Sequence, residues 1–353
     1  MRRARAASAF LLLCLTLLTG CGPLSINEQA IVLAVSLDPD RAGWRWTFMF
    51  PNPTLTPSSE ASIHTSQEFS VLSVGGATFG DAVDAVQSAI DRKVFLGLCQ
   101  VVVLNPRLPA EMVRRLLTTL VRTSAFPHRA WVTFGEPTAS ELLTTTMPEE
   151  AAPTVYLAAY FKCRDCHSPA SEVRIWEAWD SLVLPSRTAV LPLASRAQGR
   201  VMVQRVAWLG PNGIQVLTPS ETQGWAILAN RLGQGSVSVF SGAERFTVRR
   251  VSLHSQVIPQ SNGEIAVDVL GTGTIDEGGP YTASQVALVQ QRVADELASS
   301  CMAALHAMQR NRVDPLAVAT RRSWTDGGFP APDVPAHVAV HVQFRVVRAG
   351  YLY

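Results

Sequence analysis

The N-terminus constrains this chain most: a basic stretch (residues 2–5) and an apolar run (residues 6–18) end in Leu18-Thr19-Gly20-Cys21. This order is typical of a bacterial export signal. Leucine three positions before a cysteine, with small residues between, indicates the lipoprotein type. The Cys21 thiol would take an S-diacylglyceryl group, and cleavage would leave its amine for an N-acyl chain such as palmitate. Residues 1–20 are then lost, and only the remainder has to fold.

Two other interpretations of this segment are a plain secretory signal and an uncleaved membrane anchor. The apolar run of 13 residues is too short for an anchor, because a bilayer core of about 30 Å needs about 20 helical residues at 1.5 Å each. We therefore expect acyl chains to tether the protein to the outer face of a membrane, with its bulk in water.

Length and composition indicate a folded protein with more than one core. Without the first 20 residues, 333 of the 353 remain, which favours two or three domains. Hydrophobic residues make up 47% and charged residues 16% of the chain, so the apolar surplus must lie in cores and docking surfaces. Loss of three arginines changes the formal charge from +2 to −1, and such a balance gives no general attraction to nucleic acid.

Four cysteines besides Cys21 remain after cleavage. Cys163 and Cys166 have the spacing of a disulfide, a thiol-redox pair or half a zinc site, to which His167 would add a ligand. No second ligand pair lies nearby in the sequence, so a local disulfide or two unpaired thiols are favoured over a metal or redox role. Cys99, in a predicted strand, and Cys301, on a predicted helix, are expected to pack as small apolar groups.

The element pattern predicts an α+β fold of two lobes, which could resolve into three subdomains, with mixed antiparallel sheets flanked by helices. In the first lobe (residues 21–195) strands alternate with helices, some of them started by threonine caps. Residues 190–200 are predicted to be loop. The second lobe (residues 196–353) should contain long antiparallel strands, a long helix over 282–308, and a final strand of strict alternation from Val338 to Val346.

No pattern for catalysis is present in the sequence. It contains no Gly-x-Gly-x-x-Gly turn, phosphate loop, Gly-x-Ser-x-Gly elbow or His-Glu-x-x-His helix. Asp38 and Asp40 flank a predicted hairpin turn, where turn chemistry explains them. We therefore expect no enzymatic activity, no cofactor and no metal.

Several stretches together resemble the Ger(x)C family of spore germination lipoproteins. Ile26 to Asp38 is similar to the family's opening strand, and Phe95 to Leu104 to its aromatic–glycine–strand block. Glu221 to Trp225 resembles its Glu-Thr-x-Gly segment, and Gly271 to Glu277 follows in the expected order. The sequence departs from the family at Gly22-Pro23 and at Leu98, so no binding residue is carried over from those positions.

The resemblance implies a non-catalytic C subunit of a nutrient germinant receptor, with a multi-domain α+β fold. It implies two integral membrane partners, the A and B subunits, and a place on the outer face of the inner spore membrane. Clustering with other germination proteins is a further expectation. The alternatives are a solute-binding lipoprotein of a transporter, which usually has two doubly wound lobes, and a thiol-redox protein acting through Cys163 and Cys166.

Overall fold

The fold is α+β, with one large eight-stranded sheet, a four-stranded sheet packed with it, and helices around them. The computed structural model describes residues 25–41, 43–52, 69–145, 153–163, 172–183, 187–232, 235–241, 244–259, 265–275, 281–318 and 338–349. Within these residues, a 3₁₀ helix (Ile26–Glu28) precedes the strands and α-helices. The helices are α1 (Phe79–Ala89), α2 (Ala110–Arg122), α3 (Ala139–Thr144), α4 (Pro153–Lys162), α5 (Ile175–Val183), α6 (Pro219–Leu228) and α7 (Ala283–Asn311).

The described strands form sheets of two, eight and four strands. The eight-stranded sheet has the order β10-β9-β8-β7-β6-β2-β3-β4, and the four-stranded sheet the order β11-β12-β13-β14. The strands are β1 (Gln29–Ile31), β2 (Ala34–Asp40), β3 (Gly43–Pro51), β4 (Phe69–Gly75), β5 (Lys93–Phe95), β6 (Val101–Leu104), β7 (Trp131–Glu136), β8 (Ala189–Ala197), β9 (Arg200–Gly210), β10 (Gly213–Val216), β11 (Gly235–Ser241), β12 (Glu244–Pro259), β13 (Ile265–Ile275) and β14 (Val338–Ala349).

The centre of the large sheet is parallel and is buried on both faces. Strands β2, β6, β7 and β8 run parallel, and antiparallel strands flank them. In β6, Val101 and Val103 belong to one apolar cluster while Val102 and Leu104 belong to the other. Covered faces on both sides explain why this strand is a continuous apolar run. Strand β6 begins at Val101, so Cys99 does not lie in the strand predicted for it, because Leu96 to Cys99 form a turn closed by the Cys99 amide and the Leu96 carbonyl.

Strand β8 occupies residues that the sequence predicted to be loop, so that prediction is wrong. Pro192 is the misleading residue, since proline rarely lies inside a central strand. It stands opposite Val206, whose amide and carbonyl bond to Thr222 Oγ1 and the Leu217 amide instead. It also precedes Leu193, the first β8 residue paired with β7. Proline at position 192 therefore removes no hydrogen bond between the strands of the sheet.

The large sheet continues across residue 195, where the sequence places the boundary between lobes. Strands β9 and β10 extend it to Val216, and the four-stranded sheet begins at Gly235. The predicted division at residue 195 stays a prediction. In the structure, the eight-stranded sheet ends before α6 and the four-stranded sheet begins after it.

Helices cover the two faces of the large sheet differently. On one face, α1, α2 and α5 bury Phe79, Leu116 and Ile175 against the strands. On the other face, α3 and α4 bury Leu142 and Leu157 in a cluster that continues into the four-stranded sheet. The second face of the eight-stranded sheet and the four-stranded sheet therefore share one continuous core.

In the four-stranded sheet, α7 covers one face. Val289, Val293 and Leu297 of this helix pack in the same apolar cluster as Val267 and Val269 of β13. The alternation predicted for the last strand is confirmed, because Val338, Val340, Val342, Phe344 and Val346 join this cluster while the residues between them are exposed. Strand β14 pairs parallel with β13, unlike the antiparallel β11, β12 and β13.

Helix starts agree with the capping residues in the sequence. Thr78, Thr218 and Thr282 each accept a hydrogen bond from the amide three residues on, and each forms a complete capping box. Thr138 accepts from the Glu141 amide at the start of α3. These caps satisfy amides that the first helical turn leaves without partners.

Candidate functional site

A cleft of about 750 Å³ lies between α5 and the four-stranded sheet. Its volume lies in the range of small-molecule pockets. Helix α5 and the residues before it form one wall, and β12 with the end of α6 forms the other. The lining includes Glu172, Trp176, Glu177, Asp180, Ser181, Thr188, Val190, Trp225, Asn230, Arg231, His254, Gln256 and Leu316.

The α5 wall is acidic, and its acids are partly paired. Glu177 Oε2 accepts a 2.8 Å hydrogen bond from the Arg174 amide at the start of α5. Asp180 Oδ2 lies 3.5 Å from Arg187 Nη1. Glu172 adds a third carboxylate, and Arg231 supplies positive charge to the cleft. Such a lining favours a polar ligand or partner over an apolar one.

The opposite wall is held by a two-way hydrogen bond between Asn230 and Ser255. The Ser255 amide donates to Asn230 Oδ1 over 2.7 Å, and Asn230 Nδ2 donates to the Ser255 carbonyl over 2.8 Å. Ser255 Oγ also donates to the Leu228 carbonyl. Asn230 has a φ of +54°, a left-handed conformation that asparagine tolerates at helix ends. The end of α6 is therefore fixed to β12, and this wall is rigid.

Two tryptophans line the cleft with different exposure. Trp225 is 4% exposed, and its indole Nε1 has no hydrogen-bond partner in the described part of the chain. Trp176 on α5 is 47% exposed. Exposed tryptophan is enriched at binding hot spots, so Trp176 is the cleft residue best suited to contact a ligand or partner.

Polar residues line the exposed face of the four-stranded sheet next to the cleft. Gln256, Asp268 and His341 stand side by side on β12, β13 and β14. His254 lines both the cleft and a cavity of about 290 Å³ beside these residues. No group of three His, Cys, Asp or Glu side chains suited to a metal ion occurs in the described ranges, and His337 lies outside them.

The cysteines separate into buried thiols and a disulfide. Burial raises the pKa of the Cys99 and Cys301 thiols to about 12, so they are packing groups rather than nucleophiles. Cys99 lies in the turn before β6 rather than in the strand. Cys163, directly after α4, is disulfide-bonded. Cys166 lies outside the described residues, as does His167, so the Cys163–Cys166 pairing stays a prediction.

The described residues begin four positions after the predicted lipid attachment site. Leu18, Thr19, Gly20 and Cys21 lie outside the described residues, which begin at Ser25. Ser25 starts the 3₁₀ helix with a capping box, in which its amide donates to Glu28 Oε2. The helix leads directly into β1, which pairs parallel with β5. Among the described helices, none combines the length and apolarity needed to cross a bilayer.

Asp38 has a role that the sequence analysis missed. It is 4% exposed and accepts hydrogen bonds from Asn105 Nδ2 and from the amides of Ala139 and Ser140. The side chain therefore ties the end of β2 to the loop after β6 and to the start of α3. Its place beside a predicted hairpin turn suggested turn chemistry. The sequence could not reveal the actual hydrogen-bond partners, because they lie far away along the chain.

Comparisons with known proteins match nearly the whole chain. Residues 24–196 match the family described as "Spore germination protein N-terminal domain", and residues 211–350 match "Spore germination B3/ GerAC like, C-terminal". A solved structure titled "Crystal Structure of the GerBC protein" is similar with a TM-score of 0.55 and 11% identity, covering 89% of this chain and 96% of that chain. At this identity the likeness shows the fold. No curated protein matches the chain.

Proposed function

The chain belongs to the GerAC-like family of spore germination proteins, and from this premise we propose that it is the lipid-anchored, non-catalytic subunit of a nutrient germinant receptor. It would act with two integral membrane subunits on the outer face of the inner spore membrane. The observation that carries the proposal is the match of both family domains, in order, over residues 24–196 and 211–350.

The lipoprotein-type sequence Leu18-Thr19-Gly20-Cys21 supports the proposed location. The signal-like segment ends at Cys21, and the described fold begins four residues later at Ser25. Two or three acyl chains hold a protein stably at a membrane, whereas one does so only marginally. Confinement to the membrane plane raises the effective concentration of partners, so interfaces of modest area suffice to hold a receptor together.

The non-catalytic part of the proposal rests on the sequence and on surface chemistry. The sequence carries none of the four catalytic or phosphate-binding motifs named above. Burial raises the pKa of the Cys99 and Cys301 thiols, which makes both poor nucleophiles. The cleft instead offers fixed charges and the exposed Trp176. These features fit a surface that binds another molecule without changing it.

The anchor is tested by Cys21→Ala in cells that lack the two membrane subunits. This variant should move to the soluble fraction, because no acyl group is added, while it remains folded. Cys301→Ala is the matched control: it also removes a cysteine, but a buried one, and should stay in the membrane fraction. Cys21→Ala protein that remains in the membrane after a high-salt wash would show that the anchor is not at Cys21.

The receptor role is tested by deleting the gene. Spores should lose their response to a particular nutrient, while germination by nutrient-independent agents continues. The level or clustering of the two membrane subunits should also fall. A normal response to every nutrient, in a strain without a paralogue, would contradict the proposal.

The cleft favours one second function, capture of a small polar solute. Its volume of about 750 Å³ and the Trp225 Nε1, which has no hydrogen-bond partner among the described residues, are the observations behind this candidate. Ligand binding stabilises the state that binds, so a true solute should raise the unfolding temperature of the wild-type protein. It should do so less for Trp176→Ala. A solute-binding lipoprotein of a transporter usually has two doubly wound lobes. The four-stranded sheet of this chain is not such a lobe, so solute capture would occur in a different architecture.

A further inference from the structure

The described chain starts close to the proposed attachment point. Only Gly22, Pro23 and Leu24 separate Cys21 from Ser25, so the two Cα atoms lie at most about 14 Å apart even when the chain is fully extended. A folded chain of this length has a radius of gyration of about 20 Å. The tether is therefore shorter than the body, and the surface around Ser25 has to face the membrane.

This surface is rigid. On one side of β5, β1 pairs with it from Gln29 to Ile31. On the other side, Gln87 of α1 accepts from the Val94 amide and donates to the Arg92 carbonyl. The Val32 amide donates to the Phe95 carbonyl, and the chain then enters β2 in the large sheet. The pair β1–β5 thus keeps a fixed orientation relative to the core.

Exposed apolar side chains lie on and beside this small sheet. Ile26, in the 3₁₀ helix before β1, is 67% exposed, and Phe95, at the end of β5, is 37% exposed. Leu98, in the turn that follows, is 52% exposed. Ile31 and Phe95 are register partners. We call the 3₁₀ helix, β1, β5 and the turn through Leu98 the basal surface.

We infer that the basal surface lies in the lipid interface of the bilayer, with Ile26, Phe95 and Leu98 among the headgroups and upper acyl chains. This inference rests on the proposed lipid anchor at Cys21. Interfacial binding of this kind buries an apolar face by about 5–10 Å, a depth that the short tether allows. The bilayer is preferred to a protein partner as the occupant, because the anchor draws this surface to lipid wherever the partners are.

Charges on the basal surface balance. Within it, Lys93 is exposed and basic while Glu28 is exposed and acidic, and Asp91 and Arg92, directly before β5, add one exposed charge of each sign. Glu28 is held in the capping box with Ser25. The surface therefore has no net charge that would require anionic lipid, and immersion should occur in vesicles of phosphatidylcholine alone.

The test is site-directed spin labelling of the full lipidated protein on phosphatidylcholine vesicles. Leu98→Cys and Ile26→Cys place the label on the basal surface. Val347→Cys on β14 is the matched control, because Val347 is 54% exposed and Leu98 is 52% exposed. Cys99 and Cys301 are buried, and unsubstituted protein treated with the same reagent gives the background. Collision rates with oxygen, which dissolves in lipid, and with a water-soluble nickel chelate report immersion.

On vesicles, the ratio of oxygen to nickel collisions should rise several-fold for both basal labels and stay constant for the control. Attached protein whose basal labels remain in water would overturn the inference and leave the anchor intact. Protein that does not attach at all would overturn the anchor and the inference together. Immersion that appears only when the two membrane subunits are added would also overturn it, because the surface would then be a protein interface.

Discussion

Asn105 donates a 2.7 Å hydrogen bond from Nδ2 to Oδ1 of Asp38, and the two residues are only 2% and 4% exposed. The carboxylate also accepts hydrogen bonds from the backbone amides of Ala139 and Ser140, over 2.8 and 2.9 Å. A buried carboxylate is costly unless donors surround it, and here neutral donors from two other elements do so. Asp38 therefore connects three parts of the first lobe.

Asp38→Ala should destabilise the protein strongly. The change removes three hydrogen bonds and leaves buried donors without an acceptor, so we expect a loss of about 3 kcal/mol in the free energy of unfolding. Urea unfolding measures it. Asp40→Ala, two residues further on, is the control: Asp40 pairs with Arg45 at the surface, and its removal should change stability little. Equal effects of the two changes would contradict the assigned role of Asp38.

Gly224 allows α6 and α7 to approach closely, so Gly224→Ala should be disruptive. A Cβ at this position would lie 1.8 Å from the Ser300 carbonyl oxygen, and a backbone atom cannot move aside without shifting a helix. We expect a loss of about 3 kcal/mol in the free energy of unfolding, the upper end of the usual cost of overpacking.

Gly80→Ala in α1 is the matched control for Gly224→Ala. A Cβ there would meet only Thr78 Oγ1, at 3.7 Å. Alanine is the better helix former, so Gly80→Ala should raise stability by about 0.5–1 kcal/mol. Thermal unfolding of the two variants side by side should shift in opposite directions, and shifts of the same sign would count against the close-approach argument.

The buried thiols should make stability fall at high pH. Burial raises the pKa of Cys99 and Cys301 from 9.0 to about 12, so between these values the folded state keeps a proton that the unfolded state has lost. Each thiol then lowers the free energy of unfolding by about 1.4 kcal/mol per pH unit within that window. Cys301→Ala should make the decline measured by urea unfolding shallower.

Reactivity gives a second measurement of the same thiols. A thiol reagent at pH 8 should leave Cys99 and Cys301 unmodified in folded protein and modify both in urea, because only the thiolate reacts. Rapid modification of the folded state would mean that the two sites open to solvent.

The predicted Cys163–Cys166 bond should be a local structural link. It would close a loop of only four residues, for which chain entropy gives about 2 kcal/mol. The Cys163→Ser/Cys166→Ser double variant should lose no more than this and should retain the germination response. Stoichiometric zinc in the purified protein, or a lost response in a folded variant, would indicate a metal or redox role instead.

Local signals in the sequence predicted much of the fold. Thr78, Thr218 and Thr282 mark helix starts because the capping box uses only residues within one turn. The alternation of apolar and polar residues in β14 was equally predictable from the sequence, since one face of that strand packs on the core while the other stays exposed. In these elements the physical cause lies within a few residues of the effect.

Elements whose structure depends on distant residues could not be predicted from the sequence. Helix α4 has an apolar residue at most positions, so no single face marks it as a helix. Strand β8 is possible despite Pro192 only because Val206 bonds elsewhere. The cleft combines α5, β12 and the end of α6, and the role of Asp38 depends on partners about a hundred residues away. No local pattern specifies such contacts.

The short connection between Cys21 and Ser25 has a consequence for the proposed receptor subunit. A molecule held by the proposed anchor, on a tether shorter than its own radius and with its β1–β5 end against lipid, would be free to spin about the membrane normal but not to tumble. Two of its three rotational degrees of freedom would then be lost before it meets a partner. Association normally costs several kcal/mol in lost translation and rotation. In the proposed receptor, the acyl chains would remove part of this loss in advance, so docking with the membrane subunits would need fewer contacts.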